Sequence, residues 1–131
     1  MRYLLDTDMA SYLIRGDRAV EANTLAHAAE WAISALTVQE LRQGALMARG
    51  NLPLELMVEA FIEDARVLSF DQKAARMSAE IRVELQAKGK SIGLIDEMLA
   101  GHAKSVGAVL ITNNEKHFGR VEGLQLDNWS K

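Results

Sequence analysis

Asp6 and Asp8 stand one residue apart at the end of a short apolar run, Tyr3-Leu4-Leu5. A carboxylate at the end of a buried strand must be solvated, paired or bound to a cation. Further polar groups occupy comparable positions. Glu40 falls in the first turn of a predicted helix after the Trp31–Ser34 run, Asp96 opens another predicted helix, and Asn113, Asn114 and Glu115 follow an apolar run that ends at Thr112. Acids gathered at one sheet edge repel one another unless a hard divalent cation lies between them, and Mg²⁺ or Mn²⁺ prefers such oxygen ligands. An ion held this way would acidify a water and draw in a phosphate group.

Each residue also has a purely structural reading. Asp8 suits the N-cap of a helix starting at Met9. Thr37-Val38-Gln39-Glu40 fits a capping box, in which the glutamate reaches back to the cap's own amide. Asp96 near a helix start gains from the helix dipole without any metal. Thr112-Asn113-Asn114 reads as an ordinary turn. No Ser-His-Asp or Cys-His arrangement is readable. His102 reads as a ring packed between helices, and His27 and His117, which lack partner spacing, read as exposed.

The positioning elements alternate. Residues 2–6 form a predicted strand, and Met9 to Ile14 a helix that stops at Gly16. A second helix is expected over 17–30 and a strand over Trp31–Ser34. A helix capped by Thr37 carries Val38, Leu41, Ala45 and Leu46 on one face. The next helix places Pro53 in its first turn and runs to about Ala65. After a short strand at Val67-Leu68, Asp71 to Lys88 is strongly periodic, with Ala74, Met77, Ile81 and Leu85 on one face and Gly89 as its stop. Ile95 to Val106 forms a helix ended by Gly107, residues 108–112 a strand, and residues 124–126 a final strand. Met47, Met57, Met77 and Met98 read as core filler, and Trp31 and Trp129 as packing residues. This order predicts an α/β domain with a mostly parallel central sheet of about four to five short strands, covered by helices on both faces. Sites in such sheets form at the carboxyl ends of the strands, where several of the acids would meet.

The 131 residues suit one domain, 1–131, and no cysteine is present for a disulfide or thiolate site. Only three apolar residues follow Arg2 before Asp6, so no signal peptide is expected. No apolar stretch approaches the ~20 residues of a membrane helix. A cytoplasmic protein with no membrane partner is expected. Fifteen basic and eighteen acidic residues give a net charge of −3, which argues against nucleic-acid binding by charge alone. It is compatible with reaching phosphates through a metal ion. Arg15, Arg18 and Arg42 are candidates to line the approach.

Three stretches together, LLDTDMASYLIRG, SALTVQELRQGA and IGLIDEMLAGHAKSVGAVLITNNEKHFGRVEGLQLDNW, resemble the PIN-domain ribonucleases, and most closely the VapC toxins of bacterial toxin–antitoxin pairs. RVELQAKGKSIG fits as well, so the resemblance runs from residue 2 to residue 129. It implies a single PIN-like domain and an Mg²⁺- or Mn²⁺-dependent endoribonuclease. The family's three metal-binding acids match Asp6, Glu40 and Asp96. A fourth polar position falls at Asn114, where many members carry Asp and where Asn brings no charge. The family usually reads Asp-Thr-Asn at the start, and here Asp8 replaces that Asn. Thr7, Asp8 and Thr112 would support the carboxylates by hydrogen bonding or added charge. The resemblance further implies an RNA substrate, with initiator tRNA in its anticodon stem-loop the target of the enteric-type members that this chain resembles most. It also implies a VapB-like antitoxin, a homodimer, and contact with DNA only through the antitoxin.

Two rival readings remain at this level. An apolar strand followed by Asp-x-Asp also resembles the haloacid-dehalogenase-like phosphatases, although Met9-Ala10 lacks the Thr or Val usual there and the chain is short for them. The other is a non-catalytic α/β interaction module whose acids only cap helices.

Overall fold

The computed structural model describes residues 2–131. Five short strands form one sheet: β1 (Tyr3–Leu5), β2 (Trp31–Ser34), β3 (Val67–Leu68), β4 (Val109–Ile111) and β5 (Leu126–Asp127). Their order is β3-β2-β1-β4-β5 and every pairing is parallel. Seven helices connect them among the described residues: α1 (Thr7–Ile14), α2 (Arg18–Ala26), α3 (Ala35–Met47), α4 (Leu52–Asp64), α5 (Gln72–Ala87), α6 (Leu94–Val106) and α7 (Glu115–Phe118).

Successive strand residues point to opposite faces, and both faces are buried. Leu4, Ala32 and Leu110 join Ile81, Leu85 and Leu99 of α5 and α6 in one core. Leu5, Ile33 and Ile111 join Met9, Leu41 and Val58 of α1, α3 and α4 in the other. The near-continuous apolar strands follow from this two-sided burial.

Several element ends differ from expectation. α1 begins at Thr7, and Asp6 is its N-cap: the Met9 N–H donates to Asp6 Oδ1 at 2.8 Å. Asp8 is therefore inside the helix and does not cap it. α3 begins at Ala35 with Ser34 as cap, whose Oγ accepts from the Leu36 N–H at 3.0 Å. Thr37 is a buried residue inside that helix, so there is no capping box. Both shifts have one cause: the strand's last residue, or the one after it, supplies the cap, and the helix starts as soon as the chain leaves the sheet. α2 stops at Ala26, and β5 lies at Leu126–Asp127 rather than 124–126.

Side-chain expectations also shift. Leu46, Met47 and Met57 are exposed rather than core; Met77, Met98 and Trp31 are half-buried. His27 is half-buried and stacks on buried Trp129, 5.3 Å between centroids. His102 is buried as expected, its Nδ1 2.8 Å from Ser34 Oγ.

Two helical glycines stand in contrast. A Cβ on Gly101 of α6 would lie 2.5 Å from the backbone nitrogen of Ser78 on α5, so the two helices cross at contact distance. A Cβ on Gly44, inside α3, would meet nothing within 4 Å. A helix-interior glycine costs about 1 kcal/mol relative to alanine.

Candidate functional site

Every parallel strand delivers its carboxyl end to the same side of the sheet. Asp6 leaves the end of central β1, with its N–H donating to the carbonyl of Ile111 on β4 at 2.9 Å. Its carboxylate is buried and accepts from the Met9 N–H and the Thr112 hydroxyl. Burial pushes the Asp6 carboxyl up to about 6, against the pull of those two hydrogen bonds, and the nearby charges of Asp8 and Asp96 add to the rise. Thr112 is itself buried, and its Oγ1 also accepts from the Asn114 N–H at 2.9 Å.

Glu40 projects from α3 after β2. Its Oε1 accepts from the Thr7 hydroxyl at 2.5 Å, and that hydroxyl lies 3.2 Å from the Thr37 hydroxyl. With no capping duty, Glu40 is tied across to α1. Asp96, the third residue of α6, is half-buried. Burial raises its carboxyl above the ordinary value, Glu40, Asp8 and Glu97 raise it further, and His117 draws it down.

These groups line one cavity of about 110 Å³. Asp6, Thr7, Asp8, Glu40, Asp96 and Asn114 form its polar wall, with Leu99 and Phe118 behind them. Every acidic donor is a hard oxygen, the set that Mg²⁺ or Mn²⁺ takes. Among the described residues, no three Asp, Glu, His or Cys side chains stand close enough together to hold a metal ion as they are. Asp6 and Glu40 are instead engaged within the fold, Asp6 by the Met9 N–H and the Thr112 hydroxyl and Glu40 by the Thr7 hydroxyl. The shared cavity, the raised carboxyls of Asp6 and Asp96 and the all-oxygen donor set fit a divalent ion. A larger depression of about 640 Å³ along α3, past Val38, Leu46 and Met47, shares no residue with this pocket.

Two participants had no partner visible in sequence. His117 Nδ1 lies 3.1 Å from Asn114 Nδ2, and its charge acts on Asp96, so it is half-buried beside the site rather than exposed. Glu97 is fully buried and accepts from Arg82 Nη1 at 2.6 Å, Ser91 Oγ at 3.0 Å and the Ile92 N–H at 3.3 Å. It fixes the loop that leads into Asp96. Its position three and four residues before buried Ala100 and Gly101 was the available signal. Other candidates turn elsewhere: Glu115 pairs with Lys131 at 3.9 Å, and Arg42 is bidentate to Glu59 at 2.8 and 3.1 Å. Arg18 is exposed at the start of α2.

Residues 3–124 match the family model of the PIN domain. The tRNA(fMet)-specific endonuclease VapC of Shigella flexneri is 35% identical, with 99% of each chain covered. The ribonuclease VapC2 of Haemophilus influenzae is 32% identical over 98% of each. In three dimensions the chain superposes on the DNA-bound VapBC of Salmonella typhimurium with a TM-score of 0.93, at 33% identity and 98% coverage of both chains. The chain belongs to the PIN-domain family and, within it, to the VapC ribonucleases, the toxins of VapBC toxin–antitoxin systems. These likenesses, which run the whole length of the chain, support neither the phosphatase nor the interaction-module reading.

Proposed function

We propose that this protein is a divalent-metal-dependent endoribonuclease toxin in which Asp6, Glu40 and Asp96 hold one Mg²⁺ or Mn²⁺ and Asn114 completes the polar wall. The observation that carries this reading is the convergence of those four residues, from β1, α3, α6 and the turn after β4, on one small cavity. When bound, such an ion supplies charge stabilisation at a phosphate oxygen and lowers the pKa of a water. The protein's part is positional. The Met9 N–H and the Thr112 hydroxyl aim the Asp6 carboxylate, and the Thr7 hydroxyl aims Glu40. Asp8 adds negative charge at the rim, and the Asn114 amide donates or accepts a hydrogen bond without adding any.

The relatives from Shigella flexneri and Salmonella typhimurium are tRNA(fMet)-specific endonucleases, and the substrate proposed here is that initiator tRNA, cut in its anticodon stem-loop. A VapB-like antitoxin is the proposed inhibitor, as in the Salmonella typhimurium VapBC complex, and it carries the contact with DNA. A homodimer in the cytoplasm is the proposed working form; among the described residues no helix is long and apolar enough to cross a membrane.

Asp96→Asn tests the proposal. The variant keeps its circular dichroism spectrum and loses Mg²⁺-dependent cleavage of tRNA(fMet) by on the order of a hundredfold or more, since even the outer partners of a metal ligand are worth 10–100-fold. Wild-type cleavage by this variant removes Asp96 from the mechanism.

A further inference from the structure

Ser34, Thr37 and Glu40 recur every three residues from the N-cap of α3, so they share one face of it. Ser34 and Thr37 are fully buried. Thr7 of α1 holds the latter two, through the Thr37 hydroxyl and the Glu40 carboxylate. Ser34 is held from another direction: its Oγ lies 2.8 Å from Nδ1 of His102, a buried residue of α6. The same helix carries Asp96. His102 stands six residues after Asp96 and Ser34 six before Glu40, roughly 9 Å along each helix at ~1.5 Å per residue.

The surroundings of the ring give Nδ1 one task. Phe70 packs edge-on against it, 5.5 Å between centroids at 87°. The preceding residue, Gly101, lies against the Ser78 backbone of α5, which fixes how deep α6 sits. Burial holds the His102 pKa below its ordinary value, against Asp71 and the Ser69 backbone, so the ring is neutral at pH 7 and has one nitrogen free to accept. Ser34 Oγ already accepts from the Leu36 N–H at 3.0 Å. The hydroxyl then gives its one proton to Nδ1, and the ring's own proton is on Nε2. Other side-chain bonds of α6 lead elsewhere: Glu97 to Arg82, Ser91 and Ile92, and Lys104 to the Glu122 carbonyl.

We propose that His102 is a positioning residue for the acid pocket: by accepting the Ser34 proton it fixes the start of α3, and so Glu40, relative to Asp96 on its own helix. The inference rests on the metal-dependent reading above. Mg²⁺ demands near-ideal octahedral geometry at ~2.1 Å, and a site holds such geometry only when its side chains stand within ~0.5 Å of place. Asp6 and Glu40 share a local frame, since Thr7, next to Asp6, bonds Glu40. Asp96 joins that frame through α6, and His102 is where α6 grips the start of α3. A ring needed only for its volume would be replaceable by leucine, which fills the space and offers no acceptor.

The test is calorimetric Mn²⁺ affinity of the metal-free protein, beside kcat and KM on the tRNA(fMet) anticodon stem-loop, for wild type, His102→Leu, His102→Asn and Ser34→Gly. Asparagine is smaller than the ring but carries Oδ1 on Cγ, where histidine carries Nδ1. His102→Leu should lose Mn²⁺ affinity roughly tenfold or more, the range for residues that orient a metal ligand, with kcat falling and KM little changed. His102→Asn should recover most of that affinity although it packs worse. Ser34→Gly removes the hydroxyl while remaining an acceptable N-cap. It should match His102→Leu, and the two combined should lose no more than either alone. An Asn variant that binds Mn²⁺ no tighter than the Leu variant overturns the inference, since packing alone then accounts for the ring. If the His102 variants do not fold, Ser34→Gly decides, and unchanged affinity there overturns it. A wild type that binds no Mn²⁺ overturns the metal-dependent reading and this inference with it. A wild type that binds, beside variants of unchanged affinity, overturns the inference alone.

Discussion

Glu40 is available for chemistry because its helix starts earlier than its own sequence suggests. Ser34 caps α3, so the Glu40 carboxylate answers to Thr7 and not to a cap amide. Glu40→Gln should therefore weaken Mn²⁺ binding in calorimetry while shifting stability by less than about 0.5 kcal/mol, as expected where no cap is lost. Lost stability with unchanged Mn²⁺ affinity would restore the capping account. That Asp6, Glu40 and Asp96 belong together was suggested by the family motifs, since Glu40 and Asp96 each also carry a ready structural reading as a capping box and a dipole-favoured acid. His117 and Glu97 were not legible, since their partners, Asn114, Asp96 and Arg82, depend on how α5, α6 and α7 dock. His102 bears on pH. Burial holds its pKa below the ordinary 6.5, against the pull of Asp71 and the Ser69 backbone. Just below pH 6.5 the unfolded chain binds a proton there that the folded chain refuses. Its stabilising contribution is thus full above 6.5 and lost as pH falls toward the lowered folded value. Asp6, raised to about 6, acts with the opposite sign, so the readout is the difference between wild type and His102→Gln. The Tm gap in favour of wild type should narrow as pH drops from 7 to 5. A constant gap would show that the ring does not titrate between the two states.

At the scale of elements, buried parallel strands announce themselves as apolar runs, and periodic helices such as α5 carry their own boundaries in Asp71 and Gly89. What sequence pattern misplaced were helix starts after strands. There Asp8 and Thr37 looked as fit to cap as Asp6 and Ser34, and the exit from the sheet decided between them. Helix–helix approach was equally hidden. Gly101 reads in sequence as one small residue in an Ala-rich stretch, yet it sets the crossing of α5 and α6 against Ser78. Gly101→Ala must push the two backbones apart and should destabilise by about 1–3 kcal/mol in urea unfolding. Gly44→Ala, facing open space, should stabilise by about 0.5–1 kcal/mol through helix propensity alone. A neutral Gly101→Ala would mean that α5 and α6 slide freely, and a destabilising Gly44→Ala would mean that this face of α3 is packed rather than open.

For the whole molecule, concentrating acids at one sheet edge sets stability against function. The chain carries a net charge of −3, and a buried acid at the strand end, Asp6, sits among Asp8 and Asp96. Because the folded pKa of Asp6 exceeds its ordinary 3.8, its contribution is fully present below pH 3.8 and is lost as pH rises through about 6. At pH 7.5 the folded protein therefore holds a charge it disfavours, by about 3 kcal/mol at most for a shift of this size. Two changes relieve that. Asp6→Asn removes the charge and keeps an oxygen for the Met9 N–H, so in chelator the variant should be the more stable protein, by about 1–3 kcal/mol. A divalent ion neutralises the charge in place and binds only the folded state, so Mn²⁺ at a hundred times its Kd should stabilise wild type by about 2.7 kcal/mol. The ion should add little to Asp6→Asn. The gap in melting temperature would then close, with the variant above wild type in EDTA and wild type catching up or overtaking in Mn²⁺. If wild type melts higher in EDTA, the Asp6 carboxylate serves α1 as a cap first, and the acid pocket is not held at the expense of the fold.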